Sequence, residues 1–280
     1  MIVSVGLNEV RKLNFFANLK VVDMGVSRNI NSIIARAYVR FVMNRPMESK
    51  CHHLLVACMP KSGSTFLSTV LGNLPGMQVV SLVPGFDRRE QELDISLLHA
   101  MHSLNYVAQQ HIRYSLPTEK MLRHFGIKPI VLVRNLFDVV MSIRDHFRNE
   151  SIEGSMAYVV PEMKDWEDPQ LERFIVQMMI PWYFNFYMSW MSCESKHLVR
   201  YEDLVQSPES VVADICDRMS LSASQESIEQ AIKISEHSPI RKNQGIAGRG
   251  EKLDEENKRL IRAMASFYKG VDFSPIGISG

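Results

Sequence analysis

No stretch of this chain approaches the roughly 18 continuous apolar residues that cross a bilayer as a helix, although 46% of its 280 residues are hydrophobic. That apolar content has to go into a core, and the length suits one large domain, or one domain with a small appendage. The N-terminus lacks a clean apolar signal core, because Asn8, Glu9, Arg11 and Lys12 interrupt it. A dominant charge is missing too. The net charge of +1 gives no reason to expect broad nucleic-acid binding. The four cysteines, Cys51, Cys58, Cys193 and Cys216, form no C-x-x-C pair. Cys58 and Cys216 sit in apolar settings and read as reduced core thiols, so the expected location is cytoplasmic. His52-His53, His99 with His102, and His237 have no carboxylate or cysteine at zinc-motif spacing, so metal-free chemistry is expected. The chain contains neither internal repeats nor a low-complexity tract.

A Walker A loop, G-x-x-x-x-G-K-[ST], is also absent. In its place stands LLVACMPKSGSTFLSTVL, residues 54–71. An apolar run ends in Pro60-Lys61-Ser62-Gly63-Ser64-Thr65, and an amphipathic segment follows at once. The order predicts a buried strand, a tight loop and a helix. Such a loop aims backbone N–H groups, hydroxyls and one ammonium at a point that binds phosphate or sulfate. A second strand-to-helix unit is PIVLVRNLFDVVMSIRDHF, residues 129–147. Its β-branched run predicts a strand buried on both faces, and Val139, Val140, Ile143 and Phe147 recur at helix spacing. Arg134 at the strand end and Ser142 two turns into the helix can reach one anion. Ligands of open α/β sheets collect outside the carboxyl ends of strands. Two anion positions there suit a nucleotide phosphorylated at both 5′ and 3′.

PKSGSTFL resembles the 5′-phosphosulfate loop of sulfotransferases that use 3′-phosphoadenosine 5′-phosphosulfate (PAPS), and VLVRNLFDVVMS resembles their 3′-phosphate motif. HLVRYEDLVQSPE, from His197, resembles the family's strand and tight turn before a C-terminal helix. RKNQGIAGRG, from Arg241, resembles its loop closing over the 3′-phosphate. The resemblance covers roughly residues 52–270; the first two motifs together are specific and the last two alone are weak. It implies an α/β fold: one domain with a mostly parallel central sheet flanked by helices, of the P-loop-nucleotide-hydrolase-like sulfotransferase type. It also implies PAPS as co-substrate, 3′-phosphoadenosine 5′-phosphate (PAP) as product, and no metal.

Periodicity agrees with such a fold. Strand candidates are 54–58, 77–81, 129–134 and 197–201, with helical patterns between and after them. Ser222-Ala-Ser-Gln225 reads as a capping box, and Asp254 as the cap of a final helix through Phe267. Residues 1–50 form an N-terminal helical extension and 51–280 the sulfotransferase domain. INSIIARAYVRFVMNRP, carrying Arg36, Arg40 and Arg45, reads as a helix packed on the main domain in preference to one touching a membrane or partner. Residues 148–173 are an acidic, poorly periodic insertion, either a lid or a solvated loop. The aromatic run PWYFNFYMSWM, from Pro181, reads mostly as core, part of it walling an acceptor pocket.

The resemblance assigns roles. Lys61 is the cation at the bridging oxygen of the leaving 5′-phosphate, which Ser62, Gly63, Ser64 and Thr65 hold. His111 is the base that deprotonates the acceptor. Gln109 departs from the family, where cytosolic animal members carry Lys. Phe66 replaces a common Trp and keeps an aromatic face for adenine. Tyr201 and Ser235 occupy positions resembling nucleotide contacts. In the closing loop, Arg241 and Lys242, or Arg249 with Gly248 and Gly250, supply the clamp. The partner implied is a hydroxyl- or amine-bearing acceptor, which the sequence does not identify. Oligomeric state stays open, because EKLDEENKRL does not match the family's C-terminal dimerisation motif. Two other readings compete: a P-loop nucleotide kinase, against which the displaced Lys61 argues, and a non-catalytic PAP-binding protein of the same fold.

Overall fold

The computed structural model describes residues 43, 45–83, 91–151, 156–237 and 247–279. The chain divides into two compact units, 1–45 and 46–280, and all elements below belong to the second. The expected N-terminal helix lies almost wholly outside the described residues, as do Arg241 and Lys242.

The apolar run at 54–58 becomes β1 (His53–Cys58), buried throughout. It leads into α1 (Ser64–Gly72), the short β2 (Val79–Val80) and α2 (Ile95–Met101), capped by Asp94. Next come β3 (Tyr106–Gln110), α3 (Leu116–His124), β4 (Ile127–Val133) and α4 (Leu136–Asn149). After α5 (Asp168–Phe174) a π-helical turn, Ile175–Met179, leads into the aromatic α6 (Ile180–Met191). β5 (His197–Arg200), α7 (Tyr201–Gln206), α8 (Pro208–Met219), α9 (Gln225–Glu236) and α10 (Glu255–Ala265) complete the order. The five strands pair in the order β2-β3-β1-β4-β5, all parallel. The turns after β1, β3, β4 and β5 therefore emerge at one edge, where a ligand of such a sheet binds.

Strand alternation splits the core. Leu55 and Ala57 of β1 join Tyr106 and Ala108 of β3 in a large cluster with α4 and α6. Leu54, Val56 and Cys58 join Val107 in a smaller one with α1, α8 and α9. The aromatic run is core as expected, with Tyr183, Phe186, Tyr187 and Trp190 sealed from solvent.

Three local expectations change. β3 was absent from the strand candidates: YVAQQ ends in two glutamines and lacks an apolar alternation, and it is strand because β1 and β2 pair with it on either side. The 77–81 strand shortens to two residues. The cap of α9 is Ser224, whose hydroxyl accepts from Ser227 N, two residues beyond Ser222, the cap expected of that box. Asp254 caps α10 as expected, accepting from Asn257 N at 2.8 Å.

Candidate active site

The loop between β1 and α1 is held in a costly conformation. Lys61 has φ 64° and Gly63 φ 81°. The left-handed region is open to glycine but strained for lysine, by about 1–3 kcal/mol. Two contacts stabilise it. The Ser62 hydroxyl, fully buried, donates to Met59 O at 2.6 Å, and Arg134 Nη1 donates to Lys61 O at 2.8 Å. Ser62 braces the loop from inside, so its share in anion binding would come from its backbone. Beyond Gly63, α1 begins at Ser64 with no acid in its first turn. The first amides of a helix have no intrahelical acceptor, and those of α1 come just after the carboxyl end of β1, where they could hold an anion.

Arg134 ties the two strand-to-helix units together. It is 4% exposed, reaches the Lys61 carbonyl, and lies 4.0 Å over the Tyr201 ring. The same ring packs against Gly63, where a Cβ would stand 2.8 Å from Tyr201 Cδ2. Lys61, Gly63, Arg134 and Tyr201 thus form one packed unit. Asn135 caps α4, its side chain accepting from Phe137 N and Asp138 N, and Ser142 is buried two turns further on.

The segment at 248–252 closes on α4. Asp138, 1% exposed, accepts from Gly248 N at 2.8 Å and Gly250 N at 2.6 Å, and its Oδ2 lies 3.8 Å from Arg134 Nη2. A Cβ on Gly250 would stand 2.4 Å from Phe137 Cβ and 2.8 Å from Asp138 N, so only glycine fits. Arg249 ion-pairs with Asp145 on the same helix. Sequence reading missed Asp138 and Asp145. The available signal was spacing: Arg134, Asp138, Ser142 and Asp145 recur every three or four residues, along one helix face.

Arg134 acts electrostatically on Lys61, and Arg249 acts on Arg134. Burial lowers the Lys61 pKa; Glu150 and Asp145 oppose this, and Arg134 adds to it. Burial also lowers that of Arg134, against Tyr201, Asp138 and Glu202, with Arg249 adding to the lowering. Cations that repel at close range form a site for an anion.

His111 follows β3, next to β1. Its Nδ1 lies 3.0 Å from Cys58 O and 3.3 Å from Cys58 Sγ, and its backbone N donates to Gln91 Oε1. A carbonyl only accepts, so Nδ1 carries the proton and Nε2 of the neutral ring keeps the lone pair a base needs. Burial disfavours the imidazolium, but the Cys58 sulfur and carbonyl favour it more, and the His111 pKa is raised. Cys58 is separated from Lys61 by Met59 and Pro60 alone, so the ring stands beside the start of the loop. Gln109 pairs with Ser68 of α1 at 3.3 Å.

Other predicted residues are placed as follows. Phe66, on α1, is partly buried and packs against the smaller cluster. Thr65 is exposed in the first turn of α1, and its carbonyl accepts from the Thr69 hydroxyl. Ser235 Oγ accepts from Asn73 Nδ2 at 3.2 Å; Asn73 follows α1, nine residues from Ser64 and so roughly 14 Å along the helix. The structure brings Ser235 to the far end of α1 and not to the loop. In the acidic insertion, α5 buries Leu171, and Arg144 pairs with Asp168 at 3.1 Å and Glu172 at 2.7 Å. Among the described residues no group of three His, Cys, Asp or Glu could hold a metal ion, and no helix is long and apolar enough to cross a membrane.

A profile of the sulfotransferase domain matches residues 52–267. The chain belongs to the sulfotransferase family. Solved structures share this sulfotransferase fold at low identity. Mouse sulfotransferase SULT7A1 complexed with PAP superposes with TM-score 0.55 and 14% identity, over 80% of this chain and 85% of its own. Retinol dehydratase in complex with androsterone and PAP superposes with TM-score 0.56 and 16% identity, over 85% and 87%. No curated protein sequence matches the chain.

Proposed function

We propose that this sulfotransferase moves a sulfuryl group from PAPS to a hydroxyl, or less often an amine, of an acceptor and releases PAP. One observation carries the donor assignment: Arg134 donates to the carbonyl of Lys61. That bond joins the loop after β1 to the end of β4 and makes one continuous cationic edge of two anion positions. A nucleotide with phosphates at both ends fits such an edge, and PAP in two structures of the same fold is consistent with it.

In this reading the first amides of α1, with Ser64 and Thr65, hold the 5′-phosphate, and Lys61 neutralises the charge developing on its bridging oxygen. Arg134, Ser142 and the 248–250 segment take the 3′-phosphate. His111, unprotonated at Nε2, removes the acceptor's proton as its oxygen attacks sulfur in line with the leaving phosphate. Tyr183, whose hydroxyl donates to Pro60 O at 3.3 Å, links the aromatic core to the loop. The test is to supply PAPS with phenol, alcohol and amine acceptors and to follow PAP release. Turnover that instead requires ATP and Mg²⁺ would overturn the reading in favour of a kinase; PAP binding with no transfer across the panel would favour a non-catalytic protein.

A further inference from the structure

The face of α4 that carries the 3′-phosphate position also carries a fixed anion. Arg134 precedes the helix, and Asp138, Ser142 and Asp145 follow at helix spacing. The 248–252 segment lies along them, its Gly248 and Gly250 amides on Asp138 and its Arg249 guanidinium on Asp145. Asp145 does not depend on Arg249 for its position. Its Oδ1 also accepts from Arg144 Nε at 3.2 Å and Nη2 at 3.1 Å, and Arg144 is itself held by Asp168 and Glu172 of the acidic segment. Burial works against the ionised carboxylate, but Arg249 and Arg144 outweigh it, and the Asp145 pKa is lowered.

Ser142 is three residues from Asp145, so their Cβ atoms are about 5–6 Å apart. A phosphate monoester on Ser142 and Arg134 would bring a charge of about −1.5 to −2 close to that carboxylate. Arg249 offers one guanidinium to two anions, and the anions repel. We propose that Asp145 is an internal competitor for the 3′-phosphate: it retains Arg249 on α4 and weakens the hold on 3′-phosphorylated nucleotides, shortening their residence. The proposal rests on the assignment of Arg134 and Ser142 to the 3′-phosphate.

The test is calorimetric titration of the full-length enzyme, Asp145→Asn and Asp145→Ser, with PAP and with adenosine 5′-phosphate, at low and high salt. Both variants should bind PAP about five- to tenfold more tightly at low salt, from relief of a screened repulsion and release of a partly exposed ion pair. The gain should shrink at high salt, and adenosine 5′-phosphate affinity should move far less, through the weaker field of Asp145 at Lys61 alone. Two variants of different volume keep a folding defect in one from deciding the result. Unchanged or weaker PAP binding, or equal tightening for both nucleotides, would overturn the proposal while leaving the donor assignment intact. Failure of the unmodified enzyme to bind PAP would overturn both.

Discussion

The two proposed anion positions are built in opposite ways. The one after β1 comes from consecutive residues, Pro60 to Thr65, shaped by two left-handed residues and the start of one helix. The one on α4 joins Arg134, Asp138, Ser142 and Asp145 to a segment more than a hundred residues away in sequence. Local chemistry makes the first, whereas tertiary packing makes the second. The first should therefore govern the chemical step and the second nucleotide affinity. Four substitutions test that division, beginning with the largest expected effect.

His111→Ala should lower kcat by about 10²–10⁴-fold, the usual contribution of a general base, while PAP affinity holds. Catalysis needs the neutral ring, so the rate should rise with pH as His111 deprotonates. Because Cys58 raises its pKa, that limb should lie above the ordinary histidine range and vanish in the variant. A variant that keeps its activity would hand the base role to a carboxylate, and Glu150, which acts on Lys61, is the first to try. Lys61→Ala should lower kcat by about 10²-fold, the scale of one preorganised charge, and move the PAP dissociation constant less. Near-normal turnover would remove it from the transition state.

Arg134→Ala tests the joint between the two positions. It should weaken PAP binding by about 1.5–3 kcal/mol, the range for a hydrogen bond to a charged group. Adenosine 5′-phosphate should lose far less, and only through the loosened Lys61 carbonyl. Equal losses in parallel titrations would mean that Arg134 supports the loop alone.

What the sequence made legible follows the same division. The loop, its lysine and the strand-end arginine could be read because their order along the chain is their order in space. The β3 strand could not: YVAQQ carries no strand periodicity, and its neighbours in the sheet impose the conformation. Asp138 sits between Phe137 and Val139 in an otherwise apolar stretch, and its purpose appears only when Gly248 and Gly250 arrive. The acidic segment looked irregular because its carboxylates serve Arg144 and Arg148 on α4 and not a helix face of their own.

Asp138→Asn should have the smallest functional effect of the four and is the sharpest probe of the second position. The carboxylate accepts from two backbone amides, at 2.8 and 2.6 Å, in a site closed to water. An asparagine keeps one acceptor and turns an NH₂ group toward the other amide, so one buried N–H loses its partner. That costs about 1–3 kcal/mol and should lower Tm by roughly 2–4 °C per kcal/mol for a chain of this size. The 248–250 segment would then have to be ordered by the ligand, so part of the binding free energy would go into fixing it. PAP should bind about three- to tenfold more weakly, a loss of about 0.7–1.4 kcal/mol, while adenosine 5′-phosphate affinity and the pH dependence set by His111 stay as they were. A Tm that falls while PAP affinity stays unchanged would show that the Asp138 contact stabilises the fold without preparing the 3′-phosphate position, and the two positions would then be less different than their construction suggests.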